Sequence, residues 1–156
     1  MNNEQNTIET VPVVKYIAVF SAIYAALMGL VQILVIEFDI DLGSSANTGM
    51  FVGAGLGTMM KFVTENKRAP VKSENRKLVW SCTFSSLIIS GLFLASLVII
   101  EGKEAINEFS ELLLSVPLFI WAGSLIFITF LSYVMLQINF GWGARLFYKQ
   151  LSKKQV

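Results

Sequence analysis

Long apolar segments dominate the pattern of hydrophobic and polar positions along this chain. Three of them, residues 16–36, 79–100 and 116–137, contain no charged residue. A helix rises about 1.5 Å per residue, so each segment would extend over roughly 30 Å, the thickness of the hydrocarbon core of a bilayer. Each is apolar around its whole circumference, which is typical of a membrane span and not of a water-soluble bundle. The pattern predicts three transmembrane helices.

A fourth segment, residues 44–63, is less apolar because it contains four glycines and ends near Lys61. Its composition alone would also suit a flexible loop. Charge placement favours a span. With four crossings and both termini inside, eleven of the twelve Lys and Arg residues lie on the inner side, and Lys103 lies outside among seven acidic residues. The positive-inside rule expects this segregation. The sequence therefore predicts four spans with both termini in the cytoplasm.

These spans divide the chain into a disordered cytoplasmic tail at residues 1–14, a four-span domain at 15–137 and a basic, aromatic cytoplasmic tail at 138–156. A cleaved signal peptide is an alternative for the first span. It would need a basic start and an apolar stretch of only 7–15 residues, whereas the first fourteen residues contain no basic residue. Acidic and apolar residues at helical spacing between spans three and four predict a short interfacial helix. The predicted fold class is an all-α, integral membrane four-helix bundle with short interfacial helices.

The composition excludes several kinds of active site and binding site. Hydrophobic residues make up 54 % of the chain and charged residues 15 %, the net charge is +1, histidine is absent, and Cys82 is the one cysteine. A chain without His has no His-ligated zinc or haem site and no Ser-His-Asp triad. One cysteine excludes an internal disulfide. The balanced charge provides no general attraction for nucleic acid. We therefore predict no catalytic residue, no cofactor, no metal site and no nucleic-acid partner.

Small residues recur every fourth position in spans one and two, and this spacing predicts close helix packing. A flat face of small residues lets two transmembrane backbones approach each other. The glycines also invite comparison with a nucleotide-binding loop, but their spacing does not match GxxxxGK[ST] and no strand pattern precedes them. We predict antiparallel packing of spans one and two, with a homodimer as the alternative. The predicted packing residues are Ser45, Gly49, Gly53 and Gly57 in span two, and Ser21, Ala25 and Gly29 in span one.

Span three carries Cys82, Ser86 and Ser90 one turn apart. These residues could line a polar path for a solute. Alternatively, the hydroxyls bond to carbonyls of the preceding turn or across a helix contact. Ion-coupled carriers usually hold a charged residue at depth, and apart from Lys61 near an inner end the predicted spans have none. The pattern disfavours a coupled transporter.

Basic residues are concentrated in the predicted inner loop and the C-terminal tail. One interpretation is that they fix the topology and bind anionic headgroups of the inner leaflet. The other is a docking site for an acidic partner protein. The predicted lipid-binding or docking residues are Lys67, Arg68, Lys72, Arg76, Lys77, Arg145 and Lys149.

Four short motifs carry a resemblance to known proteins: KFV at 61–63, NKRAP at 66–70, ENRKLVW at 74–80 and GWGAR at 141–145. The chain resembles an uncharacterised family of short four-span bacterial inner-membrane proteins. The resemblance implies a multi-pass protein of the bacterial inner (cytoplasmic) membrane. It implies no activity and no functional residues.

Together these features predict a small, non-enzymatic accessory or interaction protein that engages membrane lipids and either a membrane-protein partner or further copies of itself. Immunity to a membrane-active toxin would be one such role. The alternative is a small oligomeric transporter or channel subunit with the serine face of span three along its path. A membrane enzyme acting on lipid phosphates is disfavoured, since the inner side offers only Glu65 and Glu74 as loop carboxylates.

Overall fold

The computed structural model describes residues 11–38 and 43–154, and this part of the chain is helical almost throughout, with no strand among the described residues. The predicted all-α class is therefore confirmed. The elements are α1 (Val14–Phe38), α2 (Gly43–Asn66), α3 (Lys72–Glu101), α4 (Lys103–Ser115), α5 (Leu118–Gln137), a π-helix (Ile138–Gly143) and α6 (Ala144–Lys154).

Three helical segments are long and apolar enough to cross a membrane. They are α1, α3 and the continuous stretch Leu118–Lys153 that joins α5, the π-helix and α6. The three charge-free spans predicted from the sequence coincide with α1, α3 and α5 to within a few residues, except that α3 begins earlier, at Lys72. The predicted second span corresponds to α2, which is 24 residues long but is made less apolar by its glycines and Lys61.

Local sequence explains where the helices end. Lys67 has a φ of 51°, in the left-handed region, and Pro70 follows before α3 begins. Gly102 has a φ of 97° and separates α3 from α4. Residues with side chains rarely adopt such a φ, whereas glycine adopts it at no steric cost. Pro117 immediately precedes α5, where its fixed φ and missing N–H suit the start of a helix.

An aromatic face of α1 forms one side of the core. Tyr16, Phe20 and Tyr24 lie one turn apart and are buried. The ring of Tyr16 lies 4.8 Å from that of Phe62, and Phe20 meets Phe51 edge-on at 5.9 Å. Since the start of α1 meets the end of α2, the two helices run antiparallel. Residues of α3, the end of α5 and the π-helix complete the same core: Leu78, Val79, Leu136 and Phe140.

The opposite half of the molecule is open. Helix α4 buries no residue. At residues 125–128 of α5, four consecutive apolar side chains are each more than half exposed. Four consecutive residues point around the full circumference of a helix, so within the described chain every face of α5 is more than half exposed at this level.

Candidate functional site

Basic residues gather at one end of the fold, where α1 begins, α2 ends, α3 begins and α6 lies. We call this the basic end. Lys15 of α1 contacts Glu65 of α2 at 3.0 Å, and a cavity of about 400 Å³ joins Ala69 of the α2–α3 turn to α6. The basic residues of this end include Lys15, Lys61, Lys67, Arg68, Lys72, Arg76, Lys77, Arg145, Lys149 and Lys153.

A buried carboxylate organises the basic end. Glu74 is 2 % exposed. Arg68 binds it in a bidentate manner, with Nη1 2.7 Å from Oε2 and Nη2 2.7 Å from Oε1. The backbone N–H groups of Val71 and Val11 donate to the same carboxylate at 3.0 and 2.8 Å. One side chain thus ties together the α2–α3 turn, the first turn of α3 and the segment before α1.

These four donors decide the charge state of Glu74, which lies in the polar first turn of α3, before its apolar segment. Burial alone would raise the pKa of Glu74. The hydrogen bonds from Arg68 and from the two backbone N–H groups outweigh burial and lower the pKa to about 2. The carboxylate is therefore ionised throughout the physiological pH range, and its contacts are permanent and structural.

A second, more exposed cluster joins α1 to α2. The carboxylate of Glu65 accepts hydrogen bonds from Lys15 at 3.0 Å and from the hydroxyl of Tyr16 at 2.8 Å. Asn66 donates to the Tyr16 oxygen at 2.7 Å, and Lys61 lies 3.9 Å from Glu65. The hydrogen bond from Lys15 is the main cause of the lowered pKa of Glu65. These contacts hold the two helix ends together at the surface.

The predicted docking residues separate into two groups. Arg68 is engaged with Glu74, so it acts within the fold. The remaining six are exposed, and no ion pair joins them to a carboxylate within the described residues. They are Lys67, Lys72, Arg76, Lys77, Arg145 and Lys149. Trp142 and Tyr148 line the 400 Å³ cavity beside the last two of these residues.

The predicted small-residue stripes do not face each other. Gly53 and Gly57 of α2 point towards α1, but they face side chains there. A Cβ added to Gly53 would lie 3.9 Å from Leu27, and a Cβ added to Gly57 would lie 3.2 Å from Ile23. Two branched side chains fill the space above the glycines, so the backbones do not meet there. A built Cβ on Gly49 meets nothing within 4 Å, and the side chain of Ser45 lies outside the described residues.

The small residues of α1 point instead towards α3. Ser21 shares a hydrogen bond of 2.6 Å with Ser85. A Cβ on Gly29 would lie 3.9 Å from the ring of Phe93, and Ala25, between them, is half-buried. Because helices α2 and α3 both pack on α1, a stripe on α1 can serve either neighbour, and sequence spacing does not say which.

The most tightly packed glycine is Gly55, which does not belong to the predicted small-residue stripe. A Cβ on Gly55 would lie 2.9 Å from Nδ2 of Asn139 and 3.0 Å from Cδ2 of Leu136. Both neighbours are buried. At its glycines, helix α2 is therefore packed most tightly against the end of α5 and the π-helix, and less tightly against α1. The three alternating glycines at 53–57 indicate close packing of α2, but they do not indicate which helix packs against Gly55.

The π-helix Ile138–Gly143 was not predicted. Such wide turns are rare and often occur at functional sites. It turns Asn139 and Phe140 into the core. Within the described residues, Nδ2 of Asn139, Oδ1 of Asn75 and Oγ1 of Thr83 are buried without a hydrogen-bond partner. Buried polar groups of this kind are uncommon in proteins.

Some polar side chains in the middle of the bundle bond to one another or to the backbone. The hydroxyl of Tyr24 donates to Oδ1 of Asn47 at 3.1 Å and shares a 2.9 Å hydrogen bond with Ser90. Ser86 donates to the carbonyl of Thr83, and Cys82 is fully buried. Ser86 thus bonds to a carbonyl of its own helix and Ser90 bonds across a helix contact, as the alternative to a polar path in span three expects.

Among the described residues, no group of three or more acidic or cysteine side chains is placed to hold a metal ion. The chain matches no protein-family model, and no curated protein or solved structure is significantly similar to it. The resemblance to an uncharacterised four-span family therefore stays a prediction.

Proposed function

We propose that this chain is a four-span protein of the bacterial inner membrane, with both termini in the cytoplasm, and that it works as a non-enzymatic interaction protein whose basic end binds anionic lipid. The observation that carries the proposal is the group of six exposed basic side chains at one end of the fold, beside the aromatic side chains of Trp142 and Tyr148. Aromatic rings with amphipathic character suit the headgroup region, and cations there attract anionic lipid.

The packing of α2 supports the fourth span. Tyr16 near the start of α1 meets Phe62 near the end of α2, and a cavity near the other ends is lined by both Ile36 and Ala46. Helix α2 therefore runs beside α1 over most of its length. If α1 crosses the bilayer, a helix packed along it in the opposite direction returns to the same side.

Charge at the opposite end supports the orientation. Helix α4 and its flanks contain acidic residues, with Lys103 as the one cation: Glu101, Glu104, Glu108 and Glu111. Counts of Lys and Arg in short loops set membrane orientation. The basic end accordingly belongs in the cytoplasm and α4 on the outer surface.

Cysteine accessibility tests this topology. Cysteines placed at Glu37 and Glu108, both exposed, should react with a membrane-impermeant maleimide in intact cells. Cysteines at Lys72 and Lys149 should react only after permeabilisation. Cys82 is fully buried, so the native chain provides an unreactive background. Labelling of the Glu37 position only after permeabilisation would contradict the four-span arrangement.

Lipid titration tests the binding proposal. Phosphatidylglycerol added to the detergent-solubilised protein should raise its unfolding temperature more than phosphatidylcholine with the same acyl chains. Replacing all six exposed cations with Gln should abolish this difference, because each such cation contributes about 1 kcal/mol near an anionic surface. The six are Lys67, Lys72, Arg76, Lys77, Arg145 and Lys149. Arg68 is left unchanged because it supports Glu74.

The matched control variant removes the acidic charges around α4, at the end of the fold opposite the basic end. Changing Glu101, Glu104, Glu108 and Glu111 to Gln alters as much of the surface but should leave the preference for phosphatidylglycerol intact. If both variants keep that preference, the basic end does not recognise lipid. If the basic variant keeps it but no longer co-purifies an acidic protein from native membranes, docking of that partner replaces the lipid proposal.

A further inference from the structure

A groove of about 530 Å³ lies between α1, α2, α3 and α5, on the open side of the molecule. Residues from all four helices line it. The groove is open on its α5 side, where Leu125 and Ile128 line it and are each more than half exposed. The lining residues that matter for its chemistry are Tyr24, Asn47, Ser90, Gly91, Ser132 and Leu125.

The groove is apolar except for a few hydrogen-bonding groups, and some of these retain free donors. Because Oδ1 of Asn47 accepts from Tyr24, its amide N–H groups are directed elsewhere, and they make no hydrogen bond within the described residues. Ser132 differs from Ser21, Ser86 and Ser96, whose hydroxyls bond to a carbonyl of the preceding turn. Among the described residues, Ser132 has no such bond. Both groups can donate to a bound molecule.

Gly91 lines the groove and offers a position at which the groove can be filled by substitution. A Cβ on Gly91 meets nothing within 4 Å, so no close helix contact requires glycine there. Glycine inside a helix is less favourable than alanine. The lack of a side chain at Gly91 leaves that part of the groove open.

We propose that this groove binds a neutral amphiphile that enters from the bilayer. An acyl chain lies along the apolar wall, and an uncharged acceptor group, such as an ester carbonyl, receives hydrogen bonds from Asn47 and Ser132. Within the described residues, no Lys, Arg, Asp or Glu lines the groove. A charged headgroup in the groove would therefore lose its hydration without gaining an oppositely charged partner, which costs much free energy. The chemistry selects an uncharged head.

The size of the groove also favours a small molecule over a helix. Sites for small molecules typically have about 300–1,000 Å³ and a mostly apolar lining with a few polar groups. One turn of helix with its side chains, about 10 Å across and 5.4 Å long, fills roughly 420 Å³. A transmembrane helix of a partner could thus cover the mouth of the groove but not enter it along its length.

Photocrosslinking in liposomes tests the proposal. A diacylglycerol with a diazirine in one acyl chain should label peptides from the middle of α3 and the middle of α5. Unlabelled diacylglycerol should compete at least fivefold better than phosphatidylglycerol with the same chains, because the anionic headgroup is excluded. Equal competition by the two lipids would overturn the proposal, since it would indicate ordinary contact with surrounding lipid.

A pair of glycine variants locates the site. Gly91→Leu places a side chain in the groove, starting from a Cβ that meets nothing within 4 Å, and should lower labelling at least fivefold. Gly123→Leu is the control, because a Cβ there also meets nothing within 4 Å and the residue does not line the groove; its labelling should match the native chain. Unchanged labelling in Gly91→Leu contradicts the site. If Gly91→Leu instead breaks up an oligomer while competition is absent, a second copy covers the groove and the proposal fails.

The proposal remains testable if Gly91→Leu folds poorly, because the competition between diacylglycerol and phosphatidylglycerol is measured on the native chain. It is also separate from lipid binding at the basic end. Neutralising the basic end should leave labelling of the groove unchanged, so the two proposals can fail independently.

Discussion

Glu74→Gln should lower the unfolding temperature of the detergent-solubilised protein far more than Glu65→Gln. The first change leaves Arg68 without its carboxylate and weakens the bonds from two backbone N–H groups. Removing one partner of a buried ion pair typically costs about 3 kcal/mol or more. The second change affects an exposed cluster, where ion pairs contribute little because water screens them.

Cys82 provides the readout. It is the one cysteine of the chain and is fully buried, so a thiol-reactive fluorophore reports global unfolding. Both variants remove one negative charge from neighbouring parts of the basic end, so a general charge effect would shift them equally. Equal shifts would show that Glu74 does not organise this end of the fold.

Gly55→Ala should destabilise the protein, whereas Gly49→Ala should leave it unchanged or stabilise it. A Cβ at position 55 would lie 2.9 Å from Asn139 and 3.0 Å from Leu136, and both neighbours are buried. Overpacking of this kind costs about 1–3 kcal/mol. At position 49 nothing lies within 4 Å, so alanine brings only its better helix propensity, worth about 0.5–1 kcal/mol.

The same fluorophore assay measures both variants, and the two changes are chemically identical on one helix. Their difference therefore reports the neighbourhood alone. Gly53→Ala extends the comparison, since its Cβ would be in ordinary contact with Leu27 at 3.9 Å and should be tolerated. A larger loss at position 53 than at 55 would restore the α1–α2 glycine stripe as the critical contact.

Two contacts of this fold depend on the tertiary arrangement of residues whose local sequence looks ordinary. Arg68 looks like its basic neighbours because all lie in one polar loop. Its engagement with Glu74 depends on the turn formed by Lys67 and Pro70, which brings a guanidinium back onto the first turn of α3. The small stripe of α1 was assigned to α2 by similarity of spacing, but Ser21 bonds to Ser85 of α3.

The sequence by itself determined the helical class and the positions of the long apolar segments, because both follow from local properties: helix propensity, hydropathy over about twenty residues, and the glycine and proline positions that end helices. Only the tertiary structure decided which face meets which helix, that Gly55 and not Gly53 makes the closest approach, and that a groove remains beside Gly91. Those features depend on contacts between side chains that are distant in the sequence. The π-helix contributes to this packing because it turns Asn139 towards α2. Apolar segments bury well in many arrangements, so hydropathy alone selects none of them.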